Sequence, residues 1–251
     1  MTKSSCFLIF LSLIFKTAEI TDYSINNLWV AWNIGQGQWI TQIKQDECFH
    51  YDIGGEKKSF NNIQTTLKKI CFNRNNRIFL SHWDYDHYLN FSNFTRNFPN
   101  VCWQSKPNLI KTKMTHSLSQ VLKTPVKPCP ESGSINLWLP KYTTNSNSNS
   151  IVVFKEKVLI PGDSPIQQEK IWSREIKDIS KTKILILGHH GSRTSTGPTL
   201  LNHLSNLKLA IASARWKKYG HPHAEVLSRL KNKKTPVLKT EDWGNIWFES
   251  F

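Results

Sequence analysis

The sequence predicts an α/β layered domain, sheets flanked by helices, and three observations lead there. Short apolar runs with strand character recur between turn residues, stretches of helical spacing follow them, and the same alternation returns in the second half of the chain. Core material is ample. Of 251 residues 39% are hydrophobic, including 10 Trp and 13 Phe. That content excludes wholesale disorder. No Pro/Gly-rich linker interrupts the middle and no solenoid-length repeat is visible, so one domain is expected.

The elements follow in order. Trp29 to Ile34, Trp39 to Ile43 and Phe49 to Ile53 read as an antiparallel meander that ends at Gly54-Gly55. Phe60 to Phe72 has helical spacing in Ile63, Leu67 and Ile70, and Arg77 to Leu80 is a buried strand running into polar residues. In the second half, Ile151 to Phe154 and Val158 to Ile160 form a hairpin, Ile166 to Ile176 a helix, and Ile184 to Leu187 a strongly apolar strand. Alternation continues through a helix near Leu200, a strand at Leu209 to Ala212, a helix at Ala224 to Leu230 and a closing strand at Ile246 to Phe248. The Asn/Ser-alternating stretch Thr143 to Ser150 is the expected insertion or junction between halves.

Lys plus Arg number 33 against 18 Asp plus Glu, a formal charge of +15. An excess of this size attracts a polyanion such as nucleic acid, an anionic lipid surface or an acidic partner. Met1-Thr2-Lys3 and the apolar run from Cys6 to Phe15 read as a secretory signal or N-terminal anchor over residues 1–20, too short to span a bilayer as a helix. Cys48, Cys71, Cys102 and Cys129 then remain. Their spacing resembles no zinc-finger pair, so structural disulfides are expected, with three connectivities open.

Chemistry concentrates at strand ends. His82-Trp83-Asp84-Tyr85-Asp86-His87 places four metal-ligand side chains in six positions directly after an apolar strand. Imidazole with carboxylate suits Zn²⁺ or Mn²⁺. Pro161-Gly162-Asp163, Gly188-His189-His190-Gly191-Ser192 and Tyr219-Gly220-His221-Pro222-His223 repeat the pattern of apolar strand or turn followed by ligand-type residues. Together they supply a carboxylate able to bridge two cations, terminal imidazoles and room for water.

These segments resemble the metallo-β-lactamase superfamily, whose loop reads His-x-His-x-Asp-His; here Asp84 stands in place of the second His. More closely, the chain is similar to the soluble metallo-β-lactamase-like domain of the ComEC competence proteins. Asn33-Ile34-Gly35-Gln36-Gly37, Asp52-Ile53-Gly54-Gly55, the metal loop, Asn149-Ser150-Ile151-Val152, Pro161-Gly162-Asp163, His189 to Ser192, Tyr219 to Pro222 and Thr240 to Ile246 occur in that family's order. The resemblance implies an αββα sandwich from residue 28 to residue 251 with a two-cation site at one edge. His82 and Asp84 would hold one cation, Asp86, His87 and His190 the other, and Asp163 would bridge them. His189 and His221 would serve substrate phosphate or proton transfer, with Asp86 or Asp163 able to take a proton from water.

The sequence departs from that pattern in several places. No His occupies a recognisable middle-ligand motif, although His116 lies in the interval, so a weaker first cation site is expected. Gln38, Asn90 and Lys217-Lys218 replace residues usual in the family, and no multi-span channel precedes the domain in this chain, so transport is not expected of it. The implied activity is a secreted or periplasmic bacterial phosphodiesterase acting on DNA with two divalent cations. Ser192, Trp216, Lys217, Lys218 and Tyr219 would contact substrate, and the basic run Arg229, Lys231, Lys233, Lys234 would track the backbone or form a solvated helix face. Two alternatives stand beside it: a small-molecule phosphodiesterase or lactonase on the same site, and a non-catalytic DNA-binding module.

Overall fold

The structure, a computed structural model, describes residues 26–109, 114–130, 135–141 and 145–250. The N-terminal segment 1–20 read as a signal or anchor lies outside them. Among the described residues no helix is long and apolar enough to cross a membrane.

Among the described residues twelve strands form two six-stranded sheets. The first contains β1 (Asn26–Ala31), β2 (Ile40–Lys44), β3 (Glu47–Tyr51), β4 (Asn75–Phe79), β5 (Val101–Ser105) and, at its far edge, β12 (Ile246–Glu249), in the order β12-β1-β2-β3-β4-β5. The second runs β11-β10-β9-β8-β7-β6, built from β6 (Asn136–Trp138), β7 (Val152–Lys155), β8 (Val158–Ile160), β9 (Ile184–Ile186), β10 (Leu209–Ala212) and β11 (Val237–Lys239). Each sheet opens with an antiparallel meander and finishes in parallel strands joined through helices. The last strand returns to the first sheet, antiparallel to β1.

Residue alternation builds the layers. Odd and even positions of a strand face opposite ways, and both faces here are apolar. Trp29, Ala31, Phe49, Tyr51, Phe79, Val153, Ile184, Ile186 and Ile211 fill the space between the sheets. Their neighbours Val30, Cys48, Ile78, Val152, Leu185 and Ala210 turn outward beneath helices. Helix Ser59–Cys71 covers the first sheet with Phe60, Ile63, Leu67 and Ile70, a single stripe at helical spacing. Helices Ile166–Glu175, Pro198–His203 and Ala224–Asn232 cover the second through Trp172, Leu200, Leu201, Val226 and Leu230. The result is the αββα sandwich expected above.

The disulfides join Cys48 to Cys71 and Cys102 to Cys129, tying β3 to the helix above it and β5 to the segment that follows. Closing loops of 23 and 27 residues contributes on the order of 3 kcal/mol each by chain entropy. One expectation is corrected. Residues 143–150 do not separate the halves, because β6 already belongs to the second sheet; the stretch connects β6 to β7 inside that sheet. Its first two residues lie outside those described.

The core also holds a polar residue that the sequence pattern does not single out. His50 faces the helix-side core of the first sheet, fully buried, edge-on to Phe94. Asn76 spends its amide nitrogen on backbone carbonyls, so its Oδ1 accepts from His50 Nε2 at 3.0 Å, while Nδ1 is approached by Trp39 Nε1 and Thr41 Oγ1. The neutral imidazole is thereby satisfied at both nitrogens. Burial lowers its pKa from 6.5 to about 4, the Asn76 hydrogen bond opposing. An unfolded His takes up a proton near 6.5, so this stability is complete above that pH and is lost as pH falls through 4. The shift is worth roughly 3 kcal/mol. Urea midpoints at pH 7.5 and 4.5 should therefore diverge in the native protein by more than in His50→Gln; an equal pH dependence in the two would contradict the assignment.

Candidate functional site

The site forms where the ends of β3, β4, β8 and β9 meet at one edge of the sandwich. Asp52, just past β3, takes a left-handed backbone (φ 58°) and turns its carboxylate inward. Its Oδ1 accepts from Ser81 N (2.6 Å), and its Oδ2 from Ser81 Oγ (2.8 Å), Gln38 Nε2 (2.7 Å) and His87 Nδ1 (2.7 Å). This one carboxylate joins the meander, the end of β4 and the metal loop.

The loop's backbone is clamped as well. Gln38 N and Gly55 N both donate to the Asp86 carbonyl, and Ile53 N donates to that of His87. The approach is so close that a Cβ at Gly54 would overlap the Asp86 carbonyl oxygen, and one at Gly37 would come within 2.5 Å of it. The glycines of the two early segments are therefore required by the metal loop packed against them.

Three buried imidazoles, with the more open His189 beside them, converge on Asp163, which follows β8 at the turn Pro161-Gly162. Their tautomers follow from their partners. His87 Nδ1 donates to the Asp52 carboxylate, His190 Nδ1 to the Ser213 carbonyl (3.1 Å), and His82 Nδ1 to Ser81 Oγ (2.9 Å), whose own proton goes to Asp52. Each Nε2 is left facing the centre. His87 Nε2 lies 3.1 Å from Asp163 Oδ1 and His190 Nε2 3.7 Å from the same atom, while His82 Nε2 and His189 Nε2 lie 3.8 and 3.6 Å from Oδ2. Asp86 Oδ2 closes on His190 Nε2 at 3.1 Å and Asp84 Oδ2 on His82 Nε2 at 3.4 Å.

Among the described residues, His82 Nε2, His87 Nε2, His190 Nε2 and Asp163 Oδ1 are buried without a hydrogen-bond partner. Four orphaned polar atoms aimed at one another are costly unless something electropositive sits between them. Ligand atoms of His82, His87 and Asp163 fall within 4.8 Å of one another, and so do those of Asp86, His87 and His190. Such spacings are near those of donors about 2 Å from one ion. The donor set thus fits two adjacent divalent cations, with His87 and Asp163 between the two sets.

Electrostatics point the same way. Burial pushes the Asp163, Asp86 and Asp84 carboxyls up, yet the facing imidazoles hold all three below the usual carboxylate range. Burial lowers His87 and His190, and the carboxylates around them outweigh it, raising both. His189 and His221 are held below the ordinary value, first by burial; the neighbouring imidazoles add to this in His189 and, through His190 and His189, in His221. Both are neutral at pH 7.

His189 and His190 diverge because their backbones are both left-handed (φ 48° and 56°), followed by Gly191 at 85°. His190 is driven inward, and His189 stands at the mouth beside His221, ring centroids 6.1 Å apart. Arg215 N donates to Gln36 Oε1, so Gln36 Nε2 faces His221 Nδ1 at 3.2 Å and donates to it. The His221 proton then resides on Nε2.

The remaining sequence-derived residues are placed as follows. Trp216, Lys217, Lys218 and Tyr219 form a short helix at the rim, with Trp216 and Tyr219 about half exposed. Ser192 is buried and its hydroxyl is engaged by Thr194. Arg229 turns inward to the Ser195 and Thr196 carbonyls and Glu225, whereas Lys231 and Lys234 are exposed. His116 is exposed, paired with Gln120, and takes no part in the cluster. Sequence reasoning gave no role to Asp52 and Ser81, which hold the His87 and His82 rings, to Gln38, which holds Asp52, or to Gln36, which holds His221. It also passed over buried Glu169, which receives Thr196 N and Gly197 N and braces the loop after His190. Burial raises that carboxyl to about 7 against those hydrogen bonds.

Comparison with solved structures decides the architecture. YhfI from Bacillus subtilis, a metallo-β-lactamase fold protein, superposes with a TM-score of 0.55 over 89% of this chain and 99% of its own, at 10% identity. The chain has the metallo-β-lactamase fold. No family model matches it. Among curated sequences it is 27% identical to Recombination protein 2 of Haemophilus influenzae over 95% of this chain and 30% of that protein. It is 30% identical to ComE operon protein 3 of Bacillus subtilis over 41% of this chain and 14% of that one. The chain spans less than a third of the length of either. The segments that resemble ComEC domains thus lie in a metallo-β-lactamase fold.

Replacement of Asp52 tests the orienting role. Asp52→Asn should retain the circular dichroism of the native protein and weaken divalent-metal binding roughly ten- to hundred-fold, measured by competition with a chromogenic chelator. Unchanged affinity would mean that His87 is oriented by something else.

Proposed function

We propose that the protein is a metal-dependent hydrolase, and more narrowly a phosphodiesterase acting on DNA. The observation that carries the reading is the convergence of three buried, unpartnered Nε2 atoms on Asp163 at a rim carrying Arg215, Lys217 and Lys218. His82, Asp84 and Asp163 would hold one cation, Asp86, His87, His190 and Asp163 the other. Zinc and manganese both suit imidazole with carboxylate. When bound, such a pair supplies an acidified water and polarisation of the phosphoryl group.

The chain's own residues supply the rest. His221 presents an Nε2–H at the mouth, kept there by the Gln36 amide at Nδ1, and as a neutral imidazole donates a hydrogen bond to a phosphoryl or leaving oxygen. His189, neutral and partly exposed, donates to a phosphate oxygen. Asp86 and Asp163, ionised at any working pH, accept a proton from water. A net charge of +15 draws a polyanion toward an edge whose centre is itself carboxylate-rich. Two disulfides suit an oxidising compartment, in keeping with a secreted or periplasmic enzyme. Similarity to a protein named for recombination, together with the resemblance of the segments to ComEC domains, supports DNA as the substrate.

Purified protein supplied with Mn²⁺ or Zn²⁺ should degrade DNA, and a chelator should abolish the reaction. Asp86→Ala with His87→Ala should remove activity to background. Turnover should also fall steeply as salt rises, because neutralised phosphates release counterions. Persistence of cleavage in the double variant would overturn the assignment of the site; indifference to salt would overturn a polyanionic substrate.

A further inference from the structure

A cleft of about 530 Å³ opens beside the Asp86 carboxylate, lined by Glu56, Lys57, Tyr85, Lys218 and Tyr219. Tyr85 sits in the metal loop between Asp84 and Asp86, and Tyr219 comes from the short helix at the opposite rim. The two residues are 41% and 44% exposed and belong to none of the three apolar clusters, although Tyr85 stands edge-on to Tyr88 of the first, ring centres 6.1 Å apart. Lys218 Nζ lies 4.9 Å from the Tyr219 ring centre. The Glu56 carboxylate is already neutralised by Arg215 (2.6 Å) and Lys218 (3.4 Å), which outweigh burial and hold it below its ordinary pKa. Lys57 is exposed and adds a further positive charge. Lys57, Lys218 and Arg215 thus stand against Glu56 and Asp86, one positive charge in excess, and the cleft is aromatic and continuous with the carboxylate that the second cation would share.

Its volume lies within the range of pockets for single small ligands, roughly 300–1,000 Å³. Exposed aromatic faces flanked by lysines match a base and its phosphate, and base faces are free only when the nucleotide is unpaired and unstacked, since neighbours in a duplex cover them. We propose that this cleft is a subsite for one unpaired nucleotide next to the scissile phosphodiester, its base against Tyr85 and Tyr219 and its phosphate near Lys57 and Lys218. The protein therefore prefers single-stranded DNA. The inference rests on the phosphodiesterase reading of the metal site.

The test is binding of a fluorescent, hydrolysis-resistant phosphorothioate oligothymidylate, and of the corresponding duplex, to the metal-loaded protein by anisotropy. Tyr85→Ala and Tyr219→Ala should each weaken the single strand roughly 5- to 150-fold, the equivalent of about 1–3 kcal/mol for one stacked base. Duplex binding should change little, and Tyr85→Phe should restore the single strand. Lys57→Ala should weaken binding and flatten its salt dependence. Ring variants that bind the single strand as the native protein does, or that lose both forms equally, would overturn the subsite. The readout does not need turnover. Ring-dependent binding without hydrolysis of ordinary DNA under Mn²⁺ or Zn²⁺ would leave the subsite standing and refute the phosphodiesterase, whereas hydrolysis with ring-independent binding would refute the subsite alone.

Discussion

The buried carboxylate of Asp52 is the constraint on which the rest of the site depends. A carboxylate only 1% exposed must find several donors or be destabilising. It finds four, from three separate places: the backbone N–H and hydroxyl of Ser81 at the end of β4, an amide from the segment entering β2, and an imidazole of the 82–87 loop. Satisfying Asp52 therefore assembles the edge of the first sheet. The same act sets His87 with its proton on Nδ1 and its lone pair toward Asp163, and through Ser81 it sets His82 as well. Orientation of these two imidazoles is a by-product of burying one charge.

The second sheet answers across the sandwich. Asp163 and His190 sit at the ends of β8 and β9, and their approach to the metal loop is permitted by the space between the sheets being filled with side chains of alternating strands. Because the facing groups are held by sheet ends and not by free loops, little conformational entropy would remain to be lost on binding a cation. The chain has already met the cost of bringing like-oriented lone pairs together, through packing of the apolar layers around them.

The sequence made legible what periodicity and residue chemistry express locally. Alternating strands, the helix marked by Ile63, Leu67 and Ile70, and the ligand-rich loop at 82–87 all declare themselves within a few residues. Two kinds of information were not local. Strand β5, Val101-Cys102-Trp103-Gln104-Ser105, carries no clean alternation and is specified by pairing with β4 and by the Cys102–Cys129 link, so its own pattern did not announce it. The residues that orient ligands were hidden for a similar reason. Asp52 sits 29 positions from Ser81 and 35 from His87, and Gln36 is 185 from His221. A lone Asp before Gly-Gly reads as a turn until the fold shows what it receives. The junction at 143–150 misled because low complexity marks a loop without telling which elements it joins.

Adjacent histidines in one short turn illustrate how the fold separates roles that the sequence runs together. In an extended segment neighbouring side chains already point apart, but both would remain on a surface. Here three successive residues take left-handed angles, which costs energy at His189 and His190, where no glycine relieves the Cβ. The turn persists because its far side is braced: Glu169 accepts the N–H groups of Thr196 and Gly197, Arg229 approaches the Ser195 and Thr196 carbonyls, and His223 N donates to Gly191 O. Strain in the turn is thus balanced by a buried carboxylate, a guanidinium and the following loop. The strain has a product, because it sends one imidazole to the centre, fully enclosed and committed to Asp86 and Asp163, and leaves the other at the mouth, neutral and partly open beside His221. A relaxed turn would offer two equivalent histidines to solvent; this one encloses one imidazole among carboxylates and leaves the other open at the rim.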